Sequence, residues 1–147
     1  MRDRTARLRE EKERGEWAEL CFMVRAMEEG LQVGRPWGDS RYDVGADYKD
    51  LRWRVQVKST EYVRRGKSYS LNVMGPGRKP YEDGTIDFVA VFLIPEDAWY
   101  ILPYDRMRNK RGERLCSIHF TAGSLREKYA EFKEAWHLLR GESKLAS

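Results

Sequence analysis

Asp43, Gln56 and Lys58 bring an acid, an amide oxygen and an amine into one short stretch of the chain. A hard cation such as Mg²⁺ prefers carboxylate, carbonyl and water oxygens, and is commonly held by one or two carboxylates together with a substrate phosphate. A lysine beside it can orient or deprotonate an attacking water, or neutralise charge developing on the phosphate. The spacing, an acid followed at a distance by Gln-x-Lys, is degenerate by itself. A surface hairpin with scattered charges satisfies it equally.

The elements around these residues decide whether they can meet. From Trp53 to Lys58 apolar and polar residues alternate, the period of a half-buried strand. Gln56 and Lys58 then share a face, roughly 7 Å apart at ~3.3 Å rise per residue. Tyr42-Asp43-Val44 lies between the turn signals Gly38-Asp39-Ser40 and Gly45, which predicts a short preceding strand. The connection from Ala46 to Leu51 is short enough for a hairpin that sets Asp43 beside Gln56 and Lys58.

Composition bounds what the rest can be. The 147 residues suit one domain, 1–147, with a core of its own, and 41% hydrophobic content argues against disorder. A net charge of +4 and a pI near 9.1 are compatible with an anionic polymer as partner without requiring one. Cys21 and Cys116 read as reduced thiols, and with His119 and His137 they make no zinc spacing. No run approaches the ~18 apolar residues of a membrane span. The charged segment Met1 to Arg14 lacks a signal peptide's apolar region, so a soluble, cytoplasmic protein is expected.

Arg2 to Gly30 reads as a helix whose apolar stripe is Trp17, Leu20, Cys21, Val24 and Met27. Glu16 falls at the edge of that stripe, and Glu19, Glu28 and Glu29 fall off it. Strands are predicted over Leu31–Arg35, around Tyr42, over Arg52–Val63 and over Ser68–Val73. Ile86–Ile94, almost wholly apolar, reads as a strand covered on both faces and forms a hairpin with Ala98–Leu102. A C-terminal helix is expected from Ser124 to Leu139, with Leu125, Tyr129, Phe132, Trp136 and Leu139 on one stripe and Ser124 and Glu127 as a capping box. The fold class is α/β: an N-terminal helix on a mixed β-sheet, with a C-terminal helix.

Taken together, Asp43, Gln56-Val57-Lys58 and a preceding helix carrying Gly15-Glu16-Trp17-Ala18-Glu19-Leu20 resemble the PD-(D/E)xK nuclease superfamily. Arg35 to Asp43, and later Tyr81 to Val91, are similar to its group I intron homing endonuclease branch and more distantly to archaeal Holliday-junction resolvases. The match runs from about Gly15 to Asp105. Tyr42 stands where the superfamily name has proline. Gln56 replaces the second acid, as the homing branch does. The resemblance implies a restriction-endonuclease-like core and a Mg²⁺ (or Mn²⁺) cofactor. It further implies Glu16, Asp43 and Gln56 as metal ligands, with Lys58 acting on water or transition state. Without it, Glu16 is an ordinary exposed helix acid. Asp47 and Glu61 are spare acids.

Basic residues cluster in three predicted loops: Arg64, Arg65 and Lys67; Arg78 and Lys79; and Arg106, Arg108, Lys110, Arg111 and Arg114. Each is a solvated loop on its own, and a phosphate-binding patch if a metal site lies nearby. Tyr62, Tyr69 and Tyr81 are candidates to stack or to donate to phosphates. The expected function is therefore a Mg²⁺-dependent endonuclease of double-stranded DNA, of homing type. The alternatives are a junction resolvase or repair nuclease with the same site, and a DNA-binding module whose site has decayed. Cutting both strands favours a homodimer or homotetramer.

Overall fold

The computed structural model describes residues 5, 7, 8, 10–38, 41–63, 68–121 and 128–142. Helix α1 (Glu11–Glu28) is followed by strands β1 (Gln32–Gly34), β2 (Val44–Tyr48), β3 (Leu51–Thr60), β4 (Ser68–Asn72), β5 (Phe88–Leu93), β6 (Ala98–Pro103) and β7 (Ser117–Thr121). A five-stranded mixed sheet has the order β1-β2-β3-β5-β6, and β4 and β7 form a separate antiparallel pair. All neighbours in the larger sheet are antiparallel except β3 and β5, where Val55 pairs with Phe88 and Lys58 with Val91.

Alternation along β5 explains why every residue in it is buried. Phe88, Ala90 and Phe92 face α1 and pack with Ala18, Phe22, Ala26, Val44, Val55 and Val57. Val89, Val91 and Leu93 face the opposite layer, where Tyr69 and Leu71 of β4 meet Ile118 and Phe120 of β7. The result is three layers, with helix, five-stranded sheet and the β4–β7 pair stacked across two apolar seams. Among the described residues no helix is long and apolar enough to cross a membrane.

Four expectations need correction. The stripe of α1 is rotated: Ala18, Phe22 and Ala26 are buried, while Leu20 is 52%, Val24 56% and Met27 62% exposed. Small side chains at positions 18 and 26 let the helix lie close on the sheet. Choosing the bulkiest apolar residues picked a face turned about 160° away at 3.6 residues per turn. At 3.6 residues per turn, Glu19 then lies only ~60° from the centre of the buried face, and Glu16 about 120° from it.

The expected C-terminal helix is instead two short 3₁₀ turns, Ala130–Phe132 and Trp136–Leu138, linked through Lys133, which bridges to Tyr100 of β6. Glu134 breaks any helix there, with φ +50°. Its amide donates to the Trp99 carbonyl at 2.7 Å, and its carboxylate accepts from the Trp99 amide at 2.8 Å and the Trp136 indole at 2.9 Å. The segment is thus a strap along the open edge of β6, with Tyr129 and Phe132 in one apolar seam and Ala135, Trp136 and Leu139 in the other. The helical spacing of these aromatics comes from that wrapping. Ser124 and Glu127 lie outside the described residues.

Strand β7 was not anticipated, although Ile118 and Phe120 alternate with exposed Ser117, His119 and Thr121 as a half-buried strand should. The helix begins at Glu11, well after Arg2.

Candidate active site

β2 starts at Val44, so Asp43 is the residue at which the chain joins the sheet. Its amide donates to the Val55 carbonyl and its Oδ2 accepts from the Val57 amide, both at 3.0 Å. The carboxylate therefore takes the place of the next backbone carbonyl in the ladder. It lies beside β3 and lines the cleft that Gln56 and Lys58 also line.

Gln56 and Lys58 follow on β3, as their alternation predicts, and line one cleft of about 640 Å³ with Asp43, Arg41, Gly75 and Tyr81. Glu19 reaches the same neighbourhood from the helix layer. It lines a second cleft with Gly15, Ser59, Thr60 and Lys58, so Lys58 borders both. Tyr81 lies over the Lys58 ammonium, 5.7 Å from ring centroid to Nζ. Its position requires a bare backbone at Gly75, where a Cβ would fall 2.9 Å from two atoms of the ring.

Desolvation dominates the electrostatics of these groups. Burial raises the Asp43 carboxyl above its ordinary value, against the opposing pull of the Val57 amide, the Lys58 charge and a hydrogen bond from Gln56. Burial also raises Glu19, and the neighbouring Asp43 carboxylate pushes in the same direction. Burial lowers the Lys58 amine, partly offset by Asp43. Among the described residues, Gln56 Oε1 is the buried side-chain polar atom left without a hydrogen-bond partner. An orphaned acceptor of this kind costs about 1–3 kcal/mol unless something else satisfies it.

These donors suit a divalent hard cation. Two carboxylates with raised pKa values and an unpaired amide oxygen are oxygen ligands whose burial becomes favourable once a positive charge arrives. No cluster of three or more His, Cys, Asp or Glu residues exists among the described residues. Glu16, expected as the helix ligand, is exposed on α1, one turn before Glu19. Glu19 is the helix acid electrostatically coupled to Asp43. Counting Ala18 as a core position would have pointed to it.

Other candidates are more dispersed. Glu61 lines the second cleft with Glu19 and Lys58, where it is engaged by Arg14 at 3.3 Å and Thr5 at 2.7 Å, whereas Asp47 lies in a different cleft. Arg78 and Lys79 are exposed, directly after Gly75 and Pro76 of the site rim. Arg106 pairs with Glu131 at 3.6 Å, and Arg108 and Arg114 both pair with Asp83, at 3.5 and 2.5 Å. Lys110 and Arg111 are exposed. Arg64, Arg65 and Lys67 lie outside the described residues. Tyr69 is buried and donates to Glu96 at 2.9 Å, whereas Tyr62 is exposed.

Comparison with known proteins bears on this arrangement. The family described as PD-(D/E)XK endonuclease matches residues 9–139. No curated protein matches the chain. Among solved structures, the bacterial homing endonuclease I-Ssp6803I superposes with a TM-score of 0.75 at 24% identity, covering 90% of this chain and 95% of its own. The Holliday junction resolvase Hjc of Archaeoglobus fulgidus gives a TM-score of 0.48 at 17% identity over 74% of this chain and 84% of its own. The shared architecture is the restriction-endonuclease-like one, a helix on a mixed sheet. With its family match running from ahead of α1 to the end of the strap, the chain belongs to the PD-(D/E)XK endonuclease family.

Proposed function

We propose that this protein is a divalent-metal-dependent endonuclease that hydrolyses phosphodiester bonds in double-stranded DNA. The observation that carries the reading is the buried, unpartnered Gln56 Oε1 in one cleft with Asp43 and Lys58. Glu19, Asp43 and Gln56 would hold Mg²⁺ or Mn²⁺, with Glu19 replacing Glu16 in the ligand set. A divalent ion at such a site supplies positive charge against the phosphodiester anion.

The chain's own groups do the remaining work. Asp43 is held by the Val57 amide, so its second oxygen has a fixed direction. Lys58 is half-buried under Tyr81, and burial favours its neutral amine, which can take a proton from the attacking water. In its protonated form the same group offsets charge on the phosphate. Water adds to phosphorus, the bond to the leaving oxygen breaks, and that oxygen gains a proton.

The resemblance of Arg35 to Asp43 to the homing branch supports a sequence-selective cutter of duplex DNA. Lys79 and Arg78 at the site rim, with Lys110 and Arg111, are the proposed phosphate contacts, and a symmetric dimer or tetramer would deliver two sites to two strands. One observation favours a second reading, a binding module without catalysis: an amide at position 56 supplies no charge where an acid would.

Plasmid cleavage in Mg²⁺, Ca²⁺ and EDTA distinguishes the two. The nuclease reading expects nicking by wild type in Mg²⁺, none by Asp43→Ala or Lys58→Ala, and retained DNA binding in Ca²⁺. Gel retardation without nicking in Mg²⁺ or Mn²⁺ would establish the binding module.

A further inference from the structure

The strands β1, β2 and β3 form an antiparallel meander at the free edge of the sheet. One face packs on α1. Among the described residues the other has no such layer over it: the β4–β7 pair packs with β5 and β6, leaving a cleft of about 710 Å³ along the meander with Tyr42 at its side. Its floor is backbone, because Gly34 pairs with Gly45, and a Cβ built on Gly34 meets nothing within 4 Å. Around that floor stand Gln32, Arg35 and Arg52, all exposed, with Asp47 between Gln32 and Arg52 in register.

The face carries net positive charge. Arg54 is fixed by Asp87, which accepts from its amide at 2.7 Å and from its guanidinium at 3.1 Å, so this pair is neutral and rigid. Arg52 makes no ion pair among the described residues, and the charge of Arg35 is felt by Asp43 and Glu19 of the candidate site without a salt bridge to either; Asp47 is the acid that stands beside Arg52 on this face. The face is also continuous with the candidate active site. Arg52, Arg54, Gln56 and Lys58 alternate onto the same side of β3. Arg52 to Lys58 spans roughly 20 Å at ~3.3 Å per residue, the length of about six base pairs of duplex.

We infer that this open meander face is the base-reading surface of the nuclease, entering the major groove of the duplex beside the scissile phosphate, with Arg52 and Gln32 as its readers. A major groove ~12 Å wide admits a β-ribbon. Arginine meets guanine O6 and N7 with two parallel bonds, and glutamine does the same for adenine N6 and N7. The glycine floor lets base edges approach the strands closely. Arg54, locked on Asp87, stiffens the ribbon between readers and catalytic groups. This inference deepens the nuclease reading and rests on it for the position of the cut.

The test uses the full chain in Ca²⁺ to select from a pool of randomised linear duplexes, for wild type, Arg52→Ala, Arg52→Lys, Gln32→Ala and Lys79→Ala. Wild type should enrich a motif. Arg52→Ala and Gln32→Ala should each lose preference at one small block of adjacent pairs, by roughly 5- to 150-fold. Arg52→Lys should keep affinity at low salt but lose that discrimination, because it lacks the fork. Lys79→Ala should weaken all sequences alike and flatten the salt dependence.

The inference is overturned if the Arg52 and Gln32 variants select the wild-type motif with wild-type affinity. It is overturned equally if those variants sediment as smaller species than wild type while recognition is unchanged, which would make the face a contact between copies. A wild type that cuts plasmid yet enriches no motif overturns this inference and leaves the nuclease reading intact. A wild type that never nicks, but whose motif is lost in Arg52→Ala, does the reverse.

Discussion

Oδ2 of Asp43 accepts the Val57 amide at 3.0 Å, so a side chain completes the β2–β3 ladder where the backbone of β2 ends. This one bond fixes the carboxylate in the plane of the sheet, where Glu19 can approach from one layer and Gln56 and Lys58 from the other. It also leaves Asp43 half-buried, with its pKa raised mainly by desolvation.

A pH signature follows from that burial. With a folded-state pKa above the unfolded value, Asp43 stabilises the metal-free fold below the unfolded carboxylate range. That contribution is lost as pH rises through the folded pKa. In EDTA at neutral pH, Asp43→Asn should therefore melt at a higher temperature than wild type, and at acidic pH the gap should close. Cleavage should show the matching acid limb, above the ordinary carboxylate range and moving to lower pH as Mg²⁺ is raised, since metal and proton compete for the same oxygens.

Glu19 and Glu16 separate cleanly by substitution. Glu19→Gln should lower kcat by roughly 10²-fold or more, the usual cost of removing a group aimed at transition-state charge. Glu16→Gln, on an exposed position, should stay within a few-fold of wild type. Single-turnover rates at saturating Mg²⁺ provide the comparison, and equal losses in the two variants would contradict the assignment.

Gly75 holds space for Tyr81. Gly75→Ala brings a methyl to 2.9 Å from the ring, so the ring must leave its place over Lys58. Overpacking of this sort costs about 1–3 kcal/mol, and kcat should fall while DNA retardation in Ca²⁺ persists. Combining it with Tyr81→Leu should cost less than the sum of the two single changes in urea unfolding, since the obstruction is then removed.

Glu134 anchors the C-terminal strap. Glu134→Ala leaves the Trp99 amide and the Trp136 indole without their acceptor, a loss of roughly 2–4 kcal/mol from two orphaned donors. Glu134→Gln keeps one acceptor oxygen and should lose less. Equilibrium unfolding in urea measures both.

How much of this was legible in the chain depends on which physical signal each segment carries. Alternation from Trp53 to Lys58, and the unbroken apolar run of β5, specified their strands because a sheet residue's face is set by parity alone. The site order Asp43, Gln56, Lys58 followed from those strands. The helix face did not, because Ala18 and Ala26 contribute little hydrophobicity yet permit the closest approach to the sheet, and so Glu19 was passed over for Glu16. The strap at Ala130–Leu138 imitates a helix in its spacing. What stops it is Glu134, whose carboxylate is committed to β6, a tertiary contact that local periodicity does not encode. The meander cleft was hidden for a similar reason, since Gly34 and Gly45 become a floor only when the register pairs them.

Anomalous diffraction from crystals grown with Mn²⁺ tests the central claim most directly. One peak should appear within about 2.0–2.3 Å of an Asp43 carboxylate oxygen and of Gln56 Oε1, with Glu19 directed at it and Lys58 Nζ beside it. A site that stays empty at millimolar Mn²⁺, or a peak that Asp43 and Gln56 do not share, would contradict the account.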